Sequence, residues 1–411
     1  SGGRGGAGGG GGGGGIVKAD TTNGIDGQAG NGQYGGGGGG GAGSGASDLY
    51  YTVEGGSGGL GGGGGGGGVG NSISTPTTGG NSSGGGGGGG GGPSNGALSQ
   101  GGTDTGFLGG GAGGSGAFGF GPSFGGGGGG GGSGLGGAIF VDSNATLIIK
   151  ALPSIPTTFN TNNNITEAGI GGMGGAYSSN GLQGTALGNS IFLRQNSTLV
   201  LEATDINDLL ILGDQVSFAN DFSFETRAGS NISVIGNGTV RYTGTAEFVG
   251  LVFIKNANFH VTGSIIESSI AVCRNKEYSS QRGKLSGNGT LTGAVSVNSG
   301  IISPDTGQNL TLGSLTLLPP DFDIGTLGSL VHIDIQSTGS SLVSVIGEAT
   351  LAGTLEITLS PDASAGNYTL MSASLISNKF DTITFTGRTP NYIISYLPIE
   401  DRWIVQFTFL G

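Results

Sequence analysis

The chain has 411 residues, of which 102 are glycine, and only 10% are charged, against about 25% in an ordinary soluble domain. Eleven prolines and the lack of glycine at every third position exclude collagen. Fourteen Lys and Arg, nowhere clustered, stand against 26 Asp and Glu, a net charge of −12 that excludes a nucleic-acid footprint and repels polyanions.

The single cysteine, Cys273, excludes an internal disulfide and any Cys/His zinc spacing. It closes the apolar run Ile270-Ala271-Val272 and reads as a small core residue. No run approaches the ~18 apolar residues of a membrane helix, and no signal peptide is visible. The start at Ser1 suggests a processed product or a fragment.

The glycines are unevenly placed, with 72 of the 102 in residues 1–140. Runs or near-runs begin at 8, 35, 61, 84, 109 and 125, in steps of 27, 26, 23, 25 and 16, the size of a solenoid repeat. Two readings compete. Polyglycine loses more backbone entropy on ordering than any other sequence, which favours a linker. Ordered glycine has one good solution, extended three-residue-per-turn helices that bond to their neighbours through outward N–H and C=O groups. The second reading predicts a polyglycine-II-like slab over residues 1–135. Matches to G-x-S-x-G at residues 55–59 and to G-x-G-x-x-G follow from composition alone.

From residue 136 the texture changes to short β-branched strands, expected at 138–141, 146–149, 191–193, 198–201, 232–235, 251–254 and 258–261. No helical period is sustained, so the expected class is all-β with almost no α-helix. One local theme recurs: Asn-x-Ser/Thr before an apolar strand, at Asn144, Asn196, Asn231, Asn237, Asn288, Asn309 and Asn367. Asparagine tolerates the left-handed conformation and suits a corner between strands. The same tripeptides are formal glycosylation acceptors. Repeated corners without hairpin signals predict a right-handed parallel β-helix over 136–300, followed by a solenoid end and capping segment over 301–411.

Residues 134–147 (GLGGAIFVDSNATL) and 187–199 (LGNSIFLRQNSTL) resemble the glycine-rich segments of bacterial autotransporter and related adhesin passengers. Residues 285–304 are similar to the pattern before a passenger's last coils, and 345–357, 366–371 and 379–383 resemble its closing segment. The resemblance covers roughly 134–411 and implies an exported β-helix on the bacterial surface, commonly an adhesin. The chain stops at Gly411 with no translocator barrel, which implies a released passenger or a fragment.

Chemistry-bearing residues are few. His260 and His332, the only histidines, each sit in a strand pattern, and spacing nominates no Ser/His/Asp set. Asp321/Asp323, Asp205/Asp208 and His332/Asp334 are close titratable pairs; the first reads as a solvated turn. Asn162–Asn164 and 205–208 offer oxygen ligands without a calcium-loop pattern. Trp403, Tyr392 and Tyr396 are expected to plug the solenoid end. No catalytic, cofactor-binding or metal-binding residue is nominated. The expectation is a non-enzymatic, extracellular or cell-surface structural protein. Its partners would be copies of itself, as a homo-oligomer or filament, or cell-surface glycans or proteins. A phage-tail or secreted β-helix protein that binds or depolymerises polysaccharide is the alternative, and an ice-binding slab a third reading.

Overall fold

The computed structural model describes residues 134–135, 138–160 and 179–411, with 167, 170 and 173, but not 184–185, 214–215, 221–228, 275–280, 321–326, 388–390, 401 and 411. The chain divides into two compact units, 138–164 with 188–411, and 1–137 with 165–187. In the latter, Gly134–Leu135 pairs in parallel with Ala186–Leu187. The glycine runs between 8 and 132, on which the expected polyglycine-II-like helices rest, lie outside the described residues.

The larger unit is all-β, and no helix occurs among the described residues. Its strands stack in parallel on strands one coil away, as in a β-solenoid. Each coil contributes to three stacks, A, B and C. In the second coil these strands are Ile191–Leu193, Thr198–Ala203 and Leu209–Leu212; in the fourth, Thr245–Glu247, Gly250–Lys255 and Asn258–Val261. Stacks A and B belong to one 18-stranded sheet, because Thr290–Asn298 and Asn309–Leu317 run through both with an irregularity between Leu291 and Ala294. Stack C is the 10-stranded sheet.

The strands form where β-branched and apolar residues alternate with small polar ones. Thr198–Ala203, Leu330–Gln336 and Thr354–Leu359 alternate strictly between partly exposed and buried positions. Parallel strands in α/β proteins are covered on both faces and lack this alternation; here one face looks into the coil and the other into solvent. Register turns the alternation into columns. Leu199, Ile232, Val252, Ile270, Val295 and Leu315 lie in successive coils of stack B, each at most 3% exposed. Burial of each such aliphatic side chain contributes about 1.5–3 kcal/mol. The first coil differs. Its inward residues Ile139, Leu147, Ile149 and Phe159 are only partly buried.

The asparagine corners divide into three kinds. Asn144 and Asn196 occupy the A-to-B corner of successive coils with φ of 62° and 60°, as expected of a left-handed corner. At Asn237 and Asn288 the positive φ belongs to the preceding residue, Gly236 or Gly287, at 111° and 116°. Asn231, Asn309 and Asn367 lie within strands. Cys273 corrects another expectation. Ile270 and Val272 point inward, so the next odd position, Cys273, faces out in register with Lys255. Its thiol lies 3.6 Å from the Ile254 carbonyl, and burial pushes its pKa up.

The C-terminal end changes pairing. Arg402–Phe409 lies antiparallel to Gly366–Ala373 and to Tyr392–Ile399, a hairpin the sequence did not announce. Phe407, fully buried, stacks on Tyr392 and Phe409 with centroids at 6.0 and 6.4 Å and packs against Phe385 at 6.0 Å. Trp403 and Tyr396 pack against the core from the same hairpin, and Tyr396 Oη accepts the Phe380 N–H at 3.3 Å.

Candidate functional site on the outer face of stack C

Stack C carries both histidines and several charged residues. Arg241, His260 and Ser286 are paired in register on successive strands, and Ser303, His332 and Glu356 continue the outward row. Asn258 and Lys284 flank the row on one side, and Asp305 and Asp334 on the other. Parallel strands lie about 4.8 Å apart, so His260 and His332, three coils apart, are separated by about 14 Å. They cannot share a proton or a metal.

Each histidine has its own polar set. Ser286 Oγ donates to Asn258 Oδ1 at 2.7 Å, and its oxygen stands 3.2 Å from His260 Nδ1. Asp305 Oδ1 lies 3.6 Å from the same nitrogen. A nucleophile–base–acid relay needs the serine and the carboxylate on opposite ring nitrogens. Here both meet Nδ1, and the serine proton is already committed to Asn258. Burial lowers the pKa of His260; Asp305 opposes that shift, and Arg241 and Lys284 add to it.

His332 lies between two carboxylates, with Nδ1 2.7 Å from Glu356 Oε2 and Nε2 3.2 Å from Asp334 Oδ1. Thr306 Oγ1 donates to the second Asp334 oxygen at 2.8 Å, and Thr386 Oγ1 lies 3.5 Å from the second Glu356 oxygen. Glycoside hydrolysis needs room for the sugar and its water between paired carboxyls. The His332 ring fills that gap. Among the described residues no group of three or more His, Cys, Asp or Glu could hold a metal ion.

Three groups stand apart from this pairing. Lys284, partly buried, makes no ion pair or side-chain hydrogen bond with a described residue; burial lowers its pKa, and Asp334, Asp305 and Glu356 oppose that from beyond ion-pair distance. Arg241 is exposed and makes no ion pair or side-chain hydrogen bond with a described residue. His260 Nε2 likewise has no partner among the described residues.

The other pairs singled out by the sequence resolve differently. Asp208 is 2% exposed, and its two oxygens accept the Ser154 and Asp205 N–H groups at 2.8 and 2.9 Å, which holds its pKa down. It closes the turn between Thr198–Ala203 and Leu209–Leu212 and ties it to Ser154 of the coil before. Asp321/Asp323 and Asn162–Asn164 lie outside the described residues. The sequence offered no signal for Lys284, Ser286, Asp305 or Glu356. The row 241, 260, 286, 303, 332, 356 advances by 19, 26, 17, 29 and 24 residues, an irregularity that hides its register. Scans of the chain against protein-family models and against curated proteins return no match.

Proposed function

We propose that this chain is a non-enzymatic structural protein of the bacterial surface or extracellular space, an adhesin-like passenger. It would form a right-handed parallel β-helix preceded by packed polyglycine-II-like helices. It acts by presenting a stiff, regular surface to cell-surface glycans or proteins, or to copies of itself. One observation carries the reading: the His332–Asp334–Glu356 set on the outer face is engaged by its own members and by Thr306. Such a face is built to hold a shape. The parallel ladder beneath it satisfies backbone groups coil by coil, which suits a rod exposed to proteases.

Electron microscopy of the purified protein together with a binding assay on bacterial and host-cell surfaces tests this. Discrete rods that bind cells support an adhesin, and continuous fibres support a self-assembling polymer. Release of reducing ends from capsular polysaccharide by the purified chain would overturn the reading in favour of a depolymerase.

A further inference from the structure

Arg241, Lys284 and the Nε2 of His260, none with a partner among the described residues, lie on neighbouring strands of stack C. Arg241, His260 and Lys284 sit on three successive strands: Arg241 is in register with His260, and Lys284 is in register with Asn258, two residues before it. In a chain with 26 acidic and 14 basic residues, Arg241 and Lys284 are two cations without an ion pair to a described residue. The carboxylates Asp305, Asp334 and Glu356 belong to the three following coils and are engaged there by His260, His332 and threonines.

The hydrogen-bond pattern fixes what His260 offers. Ser286 gives its proton to Asn258, so its oxygen is the acceptor for His260 Nδ1. Nδ1 therefore carries the proton in the neutral ring, and Nε2 presents a bare lone pair. The patch thus holds two cationic donors with a neutral acceptor between them. A partly buried ammonium without an acceptor is in deficit, and an anionic ligand restores what burial removed. A sulfate dianion or simple carboxylate has no hydroxyl for the Nε2 lone pair, and a neutral sugar has no charge for the cations. The net charge of −12 disfavours densely charged polyanions, so the fitting ligand carries one negative charge and neighbouring hydroxyls.

We infer that Arg241, His260 and Lys284 form a binding site for a sugar acid. Its carboxylate lies between the guanidinium and the ammonium, and one of its hydroxyls donates to His260 Nε2. This names a partner class for the contact surface proposed above and rests on that reading.

Calorimetric titration of the full chain with galacturonate and N-acetylneuraminate tests it, with galactose, acetate and sulfate as comparison ligands. The sugar acids are expected to bind one per chain, and each comparison ligand about tenfold or more weaker. Arg241→Gln and Lys284→Met should each weaken sugar-acid binding about tenfold, and His260→Phe should erase the preference over acetate. Arg241 is exposed and pairs with no described residue, so its substitution leaves the fold intact and keeps the test readable if another variant misfolds. Sulfate or acetate binding as tightly as the sugar acids would overturn the inference, as would wild-type binding by Arg241→Gln. Failure of both sugar acids to bind, while rods or fibres and cell attachment persist, would sink this site alone and leave the contact reading standing.

Discussion

The hydroxyl of Tyr242, inside the coil, donates to the backbone carbonyl of Val216 at 3.0 Å, across 26 residues of sequence. The ring is fully buried and stacks between Phe218 and Phe259, with centroids at 5.3 and 6.4 Å. Tyr242→Phe keeps the stack but leaves a buried carbonyl without its donor. It should cost about 1–3 kcal/mol in denaturant unfolding. A cost near zero would mean that the carbonyl has another donor.

The same residue sets an alkaline limit. Burial raises the Tyr242 pKa far above its ordinary value of 10.0. The unfolded chain releases this proton near pH 10 and the folded one does not, so Tyr242's contribution is whole below about pH 10 and declines above it. Melting temperatures of the wild type should fall between pH 10 and 11 more steeply than those of Tyr242→Phe.

Asp208 sets the acidic limit. Two backbone N–H groups hold its carboxylate below the ordinary value of 3.8. A depressed folded pKa gives stability that is present above the unfolded pKa and lost as pH falls through the folded one. Asp208→Asn should lower the melting temperature at pH 7, and the difference from wild type should shrink below pH 4. A constant difference down to pH 2 would contradict the charge-based account.

Gly236 and Gly287 take φ of 111° and 116°, and a Cβ on either would overlap the carbonyl oxygen of Ala203 or Val261 in the coil before. Alanine there meets both backbone strain and a clash that no side-chain rotation relieves. Each substitution should cost about 3 kcal/mol or more by chemical denaturation. Gly307→Ala serves as the comparison, since φ is 68° but no atom lies within 4 Å. Equal costs would remove close approach of coils as the cause.

Phe407 anchors the C-terminal hairpin among Tyr368, Phe385, Tyr392 and Phe409. Phe407→Ala should lower stability by about 3–5 kcal/mol. It should also raise dye binding and concentration-dependent aggregation, because loosening the hairpin frees the edge of Gly366–Ala373. Unchanged aggregation with lowered stability would separate capping from simple core packing.

Strand positions were legible because β-branched runs bounded by Asn, Gly and Ser leave few alternatives. The expected 191–193 and 258–261 coincide with the observed strands, and 198–201 and 251–254 fall short by one or two residues. The terminal hairpin was not legible: 392–399 and 402–409 read like any other apolar strands, and no Asn-Gly or Asp-Gly turn marks them. Cys273 was misjudged because an apolar run carries no mark of which of its members faces inward.

The sequence by itself determined a glycine-rich first third and an all-β character for the described residues, because composition and strand-scale alternation act within a few residues. It also placed the left-handed corners at Asn144 and Asn196, where local backbone preference decides. Only the tertiary structure decided which residues meet on the outer face. Coil lengths vary from one turn to the next, and hydrogen-bond register between strands sets His260 beside Ser286 and His332 beside Glu356. That register comes from the whole core settling inward, a cooperative outcome that no local stretch encodes.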